Sequence, residues 1–119
     1  MRKRGEIWLA DLNPRRGTEP GKTRPVLIVQ AQALLDVEHP STLVVPLTTR
    51  LVDAAEPLRV RIRASGALKK ESDALIDQVR AIDNRRLVRG PLSRLQPQQL
   101  DVIAHALLEV FELVGVPTT

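Results

Sequence analysis

The sequence predicts a mainly β domain with a C-terminal helix (α+β), in which a small, barrel-like, mostly antiparallel sheet comes first. Three observations carry this expectation. Short strand-like segments separated by Pro- and Gly-containing turns recur from Glu6 to Leu92. The segment Leu58–Arg63 alternates apolar and arginine residues with a strict period of two, which is the strand period. The apolar stretch after Pro97 is long enough for a helix, and proline is well placed in a first turn. At 119 residues a single domain over residues 1–119 is expected. A chain of this size buries roughly 65% of the surface its unfolded form exposes.

In chain order, Glu6–Leu12 alternates well enough for a first strand, with Trp8 at the core or its rim, and Asn13-Pro14 breaks it. A loop from Asn13 to Thr23 carries Pro14, Gly17, Pro20 and Gly21 among Arg15, Arg16 and Lys22. Pro25–Gln30 is the second strand, and its unbroken apolar run predicts burial on both faces. Ala31–Val37 fits a helical turn. Thr42–Thr48 is a third strand in which Pro46 cannot donate to a ladder, so an edge or a bulge is expected there. Bulges re-aim side chains, which draws attention to Leu47, Thr48 and Thr49. Leu58–Arg63 is the fourth strand, with Leu58, Val60 and Ile62 on one face and three arginines on the other. Leu68–Ser72 reads as a short helical turn, Ala74–Ile82 as a fifth strand, Asn84–Leu87 as a turn and Val88–Leu92 as a short strand. The helix is expected from Pro97 to about Leu113. Its polar residues Asp101, His105, Glu109 and Glu112 form one narrow stripe, so it should be covered on more than one side. One face fits the sheet of its own chain, and a second copy of the chain is the simplest cover for the rest. Val116–Thr119 reads as a frayed tail.

Composition narrows the function classes. Trp8 and Phe111 are the only aromatic residues, so the core must be aliphatic. There is no cysteine, hence no disulfide framework and no thiolate metal site. No apolar stretch follows Arg2, Lys3 and Arg4 as it would in a signal peptide, and none approaches the roughly 20 residues of a membrane span. A cytoplasmic protein without membrane contact is expected. The formal charge of +4 lies wholly in residues 1–24, where Arg2, Lys3, Arg4, Arg15, Arg16, Lys22 and Arg24 outnumber Glu6, Asp11 and Glu19. Most of the cations are arginine, whose planar fork of donors matches phosphate oxygens. Nucleic acid is therefore the first partner class to consider.

The chemistry follows by inspection of what is present. His39 and His105 are the only histidines, and neither sits in a metal-ligand spacing. No metal and no cofactor is expected. Gly21-Lys22-Thr23 lacks the earlier glycine of a phosphate-binding loop and runs into Pro25, which prevents the required helix. Asp73, Asp77 and Asp83 lie on or near the expected fifth strand, and a spacing of four puts only Asp73 and Asp77 on one face. Arg24 stands before Pro25, where a proline forces extended geometry and a loop becomes a strand. It is a candidate to neutralise a phosphate, an effect worth roughly 10²–10³ in rate per preorganised donor. Thr48 offers a hydroxyl at a strand end. Glu19 is placed to orient Arg24 or to accept a proton. Arg16 and Lys22 in the basic loop, with Thr49, are candidate nucleic-acid contacts.

Four segments, in order, resemble the MazF/PemK family of toxin endoribonucleases of type II toxin–antitoxin systems. They are Arg4-Gly5-Glu6-Ile7-Trp8 with Asp11-Leu12; Gly17-Thr18-Glu19 with Arg24-Pro25 and Val26–Gln30; Val44-Val45-Pro46-Leu47-Thr48-Thr49; and Ser72 with Asp77–Asp83 and Arg86-Leu87. The resemblance reaches to about Leu113. It implies an SH3-like antiparallel barrel of the CcdB/MazF type, assembled as a homodimer. It implies sequence-specific, metal-independent cleavage of single-stranded RNA to 2′,3′-cyclic phosphate and 5′-hydroxyl ends. Messenger RNA is the first target it implies, with ribosomal and transfer RNA left open. By position, Arg24 and Thr48 match the family's catalytic arginine and threonine, Glu19 an acidic loop residue, and Gln78 and Arg80 a strand that contacts RNA. A cognate antitoxin occupying the RNA groove is the implied partner. The chain departs from the family at Thr18, Pro20 and Lys22, in the loop that shapes substrate access. A gyrase-binding toxin of the same fold, and a basic RNA-binding barrel without catalysis, remain the alternatives.

Overall fold

A computed structural model of the chain describes residues 2–14, 16–18 and 22–114. Glu19, Pro20 and the tail at Val116–Thr119 lie outside the described residues. Strand β1 (Glu6–Asp11) pairs with β2 (Thr23–Ile28), so that Trp8 faces Val26 and Ala10 faces Arg24. A short helix α1 (Gln32–Asp36) leads to β3 (Ser41–Thr48). Strands β4 (Arg59–Ile62), β5 (Ser72–Leu75), β6 (Arg80–Asp83) and β7 (Leu87–Arg94) follow, and helix α2 (Pro97–Val110) comes last. They build a seven-stranded antiparallel sheet in the order β4-β5-β3-β2-β1-β7, with β6 also paired to β3.

Strand β2 is central and buried on both faces, as its apolar run predicts. Leu27 packs with Ile7, Val45 and Leu47 into a core sealed by Ile103 and Ala106 of α2. Val26 and Ile28 face the other way, into a second core with Val44, Ile82 and Leu35 of α1. Val26, Leu27 and Ile28 are fully buried, and truncating Leu27 or Ile28 to alanine costs about 2–5 kcal/mol. The strand ahead of Arg24 is thus a rigid mount. Helix α2 begins with a capping box between Gln96 and Gln99, with Pro97 in its first turn. Its outer face keeps Val102 and Phe111 at 53% exposure each.

Several expectations are corrected. The expected fifth strand is two strands, split by a 3-10 turn at Ile76–Gln78. Both halves pair with β3, at Leu47↔Ala74 and at Val44↔Arg80. Three steps along β3 thus match six along its partner, and the turn absorbs the excess while burying Ile76. Asp73 and Asp77 therefore do not share a strand face: Asp73 is buried in β5 and Asp77 is exposed in the turn. Pro46 is not on an edge. It pairs with Val26 of β2, in the gap where the other neighbour changes from β6 to β5, so the irregularity falls on the neighbouring strand. Leu58 is 51% exposed and precedes β4. Leu68–Ser72 is not helical; Ser65 and Leu68 form an isolated bridge, and Ser72 already belongs to β5. The last strand is longer than expected, Leu87–Arg94. Helix α2 ends at Val110, with the backbone in the left-handed region at Glu112 (φ 59°).

Candidate functional site

The register of the β2–β3 ladder, continued past its last pair, sets Arg24 opposite Thr48. Val26 pairs with Pro46, and two residues further in the same register Arg24 stands opposite Thr48. The guanidinium confirms this closeness, since Arg24 Nη1 donates to the Leu47 carbonyl at 3.4 Å. Side chains two apart share a strand face. Arg24 therefore emerges on the face of Val26, and Thr48 on the face of Val44. Arg80 pairs with Val44, so Arg24, Thr48 and Arg80 stand on one face of the sheet. Arg80 is four residues along β3 from Thr48, roughly 13 Å. Gln78 is half-buried at the end of the 3-10 turn that links β5 to β6.

Thr48 is the last residue of β3, and its Oγ1 accepts the Arg50 N–H at 3.2 Å. Across the β3–β5 ladder it pairs with Asp73, whose side chain is 1% exposed. Asp73 Oδ1 accepts from Arg61 Nε at 2.6 Å, and Oδ2 from the Val52 N–H at 2.9 Å and Arg59 Nη1 at 3.2 Å. Burial works to raise the Asp73 carboxyl, but hydrogen bonds from Arg61, Val52 and Arg59 outweigh it and hold the group below its usual range. Arg61 is in turn pushed above its ordinary value by hydrogen bonds to Asp73 and Asp53.

A cleft of about 290 Å³ opens over the ends of β2 and β3. Leu9, Pro25 and Leu47 line it, with Thr49, Lys69, Lys70 and Arg89 among its polar neighbours. Pro25 and Leu47 alternate with Arg24 and Thr48 along their strands, so the cleft opens on the other face of the sheet from the arginine–threonine pair. The arrangement offers an apolar floor for a flat group and cations for phosphates on either side.

The base of the β1–β2 loop is clamped near Arg24. Arg86 Nη1 donates to the carbonyls of Asp11 (3.1 Å) and Asn13 (2.6 Å). Asn13 Oδ1 accepts the Lys22 N–H at 2.7 Å, and Lys22 carries a left-handed φ of 67°. Lys22 is exposed two residues before Arg24, and Arg16 is exposed further out on the loop. Glu19, the expected proton acceptor, lies outside the described residues.

The structure thus brings Arg24, Thr48 and Thr49 together, sets Lys22 beside them, and leaves Arg16, Gln78 and Arg80 further off. Sequence reasoning missed Lys69, Lys70 and Arg89, which reach the cleft from the turn before β5 and from β7. It also missed the partners of Asp73. The alternating arginines of β4 were the available signal, because a charged face beside a buried strand needs a counter-charge. Among the described residues no three His, Cys, Asp or Glu side chains gather as a metal group. His105 sits on the exposed face of α2 with Glu109 Oε1 at 3.2 Å, and His39 is exposed. No helix is long and apolar enough to cross a membrane among the described residues.

Fold and site together define a small antiparallel β-domain that presents an arginine and a hydroxyl on one face of its sheet and a basic-rimmed cleft on the other, a class suited to a polyanion. Comparison narrows the class: residues 3–111 match the PemK-like, MazF-like toxins of type II toxin–antitoxin systems, and the chain belongs to that family. It is 34% identical over 108 residues to the endoribonuclease MazF of Staphylococcus saprophyticus, covering 90% of this chain and 88% of the relative. Among solved structures it is similar to the Mycobacterium tuberculosis toxin MazF-mt6, with a TM-score of 0.75 and 25% identity over 92% of this chain and 99% of that one. A MazF structure from Deinococcus radiodurans shares the fold at a TM-score of 0.76 and 22% identity, covering 93% of this chain and 96% of that one. A mycobacterial endoribonuclease solved with its cognate antitoxin also shares the fold, at a TM-score of 0.67 and 22% identity over 96% of this chain and 95% of that one. The expected SH3-like barrel of the MazF type is therefore the fold of this chain.

Proposed function

We propose that the chain is a sequence-specific, metal-independent endoribonuclease toxin that cleaves single-stranded RNA. The observation that carries the reading is the Arg24–Thr48 juxtaposition, fixed by the β2–β3 register and by the reach of Arg24 to the Leu47 carbonyl. RNA enters as a splayed single strand, because unstacked bases are what such proteins read. The 2′-hydroxyl oxygen forms a bond to the adjacent phosphorus and the P–O5′ bond breaks. The proton of the 2′-hydroxyl passes to a base, and the departing O5′ takes up a proton. Arg24 neutralises the charge that gathers on the phosphoryl oxygens, and Thr48 donates its hydroxyl to one of them. Glu19 is the candidate base. Arg16, Lys22, Thr49, Gln78 and Arg80 are the candidate RNA contacts around this centre, joined by Lys69, Lys70 and Arg89 at the cleft.

The exposed apolar face of α2, Val102, Leu108 and Phe111, supports a homodimer in which a second copy covers the helix. An antitoxin that lays an acidic segment over the basic side of the sheet is the partner this reading supplies, in keeping with the antitoxin complex of the mycobacterial relative. The test is incubation of the purified protein with a long single-stranded RNA in EDTA. Discrete fragments with 5′-hydroxyl ends are expected. Intact RNA of retarded migration would mean a binding module instead, and cutting that disappears in EDTA would mean a metal site.

A further inference from the structure

Thr48 is the end of a hydrogen-bond chain that starts on a buried carboxylate. Arg59 Nη1 donates both to Asp73 Oδ2 at 3.2 Å and to the Arg50 carbonyl at 2.8 Å. The N–H of the same Arg50 donates to Thr48 Oγ1 at 3.2 Å. Arg50 is therefore held at its carbonyl by Arg59 and at its N–H by Thr48. Two residues on, the Val52 N–H is held by Asp73 Oδ2 at 2.9 Å. Arg61 fixes the other carboxylate oxygen at 2.6 Å and reaches Asp53 at 2.9 Å. Residues 49–53 belong to no strand, so these bonds to the cluster stand in for the ladder that ends at Thr48.

We infer that Asp73, acting through Arg59, is a positioning residue for Thr48. The cluster holds the 49–53 loop so that the Arg50 N–H occupies one lone pair of the Thr48 hydroxyl and leaves its proton free to point at a phosphoryl oxygen. A hydroxyl rotor without such a contact samples several directions and donates to the phosphate only part of the time. A carboxylate buried this deeply is stable only when its oxygens are saturated. Its donors here come from β4 and from the loop, so the same pairing that stabilises Asp73 also sets the loop. The connection is direct in the fold, since Thr48 and Asp73 are ladder partners. The inference rests on the reading of Thr48 as part of an RNA-cleaving site.

The test variant is Arg59→Met, which leaves Asp73 its bonds from Arg61 and Val52. Against single-stranded RNA, kcat is expected to fall roughly 10- to 100-fold, the scale of a small misplacement of a reacting group, with KM within about twofold of wild type. Arg59→Lys should recover part of the loss. Asp73→Asn, assayed below its own melting temperature, should show the same fall in kcat. Amide exchange at Arg50 and Val52 should quicken in Arg59→Met while the β3 amides stay protected. Wild-type kcat in Arg59→Met, or a raised KM at unchanged kcat, would overturn the inference and make Arg59 a bystander or an RNA contact. If the wild-type protein cuts no RNA, the ribonuclease reading fails. The exchange experiment still decides the rest, because unchanged exchange at Arg50 and Val52 would show that the cluster does not hold the loop.

Discussion

A methyl group added at Gly90 would meet the face of Trp8 at distances no folded chain sustains. The Cβ of Gly90→Ala would sit 2.3 Å from Trp8 Cδ2, 2.6 Å from Cγ and 2.8 Å from Cε2, whereas carbon contacts settle near 3.5–4.0 Å. The clash is with the root of the indole, so a small rotation cannot relieve it and the ring must move. Trp8 is tied in place, since its Nε1–H donates to Glu6 Oε1 at 3.1 Å and the Arg2 guanidinium lies over the ring at 5.9 Å. Overpacking costs about 1–3 kcal/mol, and losing a hydrogen bond to a charged group about 1.5–3 kcal/mol. With partial relaxation the total is about 2–5 kcal/mol, a large share of the roughly 5–15 kcal/mol that holds a domain folded. At about 4 °C per kcal/mol for a chain of this size, Tm drops by about 8–20 °C. Trp8 is the single tryptophan, so its emission in a thermal or urea titration reads the site itself and should shift to the red. In a Trp8→Leu background Gly90→Ala should cost distinctly less, because the partner of the clash is gone. An unchanged Tm together with unchanged emission in Gly90→Ala would refute the packing argument.

Other outcomes follow from the same geometry. Arg24→Ala and Thr48→Ala should each lose about 10²–10³ in cleavage rate while keeping the wild-type melting curve, read by fragment yield and circular dichroism together. The Asp73 carboxyl is held below its ordinary value in the folded state, so its contribution is complete above the unfolded value near pH 4 and is lost as pH falls through the lower folded one. Wild type should therefore lose stability below about pH 4 more steeply than Asp73→Asn, measured by urea midpoints from pH 3 to pH 7. At pH 7 that variant should be destabilised by about 2 kcal/mol, less than a fully buried pair because Arg59 and Arg61 reach solvent. Val102→Glu combined with Phe111→Glu should halve the mass seen in sedimentation without unfolding the chain, since both side chains are 53% exposed in the protomer.

How much of this was legible in the sequence depended on whether the signal was local. The burial of β2 on both faces was legible because Val26, Leu27 and Ile28 are apolar without a break. Arg24 was legible because Pro25 fixes the geometry beside it. The split between β5 and β6 was not, because the residues of the 3-10 turn, Ile76, Asp77 and Gln78, look like any stretch of strand. Only the register with β3 reveals the three surplus residues. Asp73 was visible as a carboxylate, but its meaning lies in Arg59 and Arg61, fourteen and twelve residues away. Likewise Lys69, Lys70 and Arg89 become neighbours of Thr49 only once the sheet has closed. The candidate pair Arg24 and Thr48 was readable from family likeness and strand ends, whereas the contacts around it are a product of non-local pairing.

The most direct test of the central claim is single-turnover cleavage of an oligoribonucleotide in EDTA beside the same oligonucleotide carrying one 2′-deoxy substitution at the mapped cleavage position. The account predicts that the wild-type protein cuts the first and leaves a 5′-hydroxyl end. It predicts that the deoxy version is bound but not cut, and that Arg24→Ala cuts the first about 10²–10³ times more slowly. Cleavage of the deoxy substrate, or undiminished cleavage by Arg24→Ala, would contradict it.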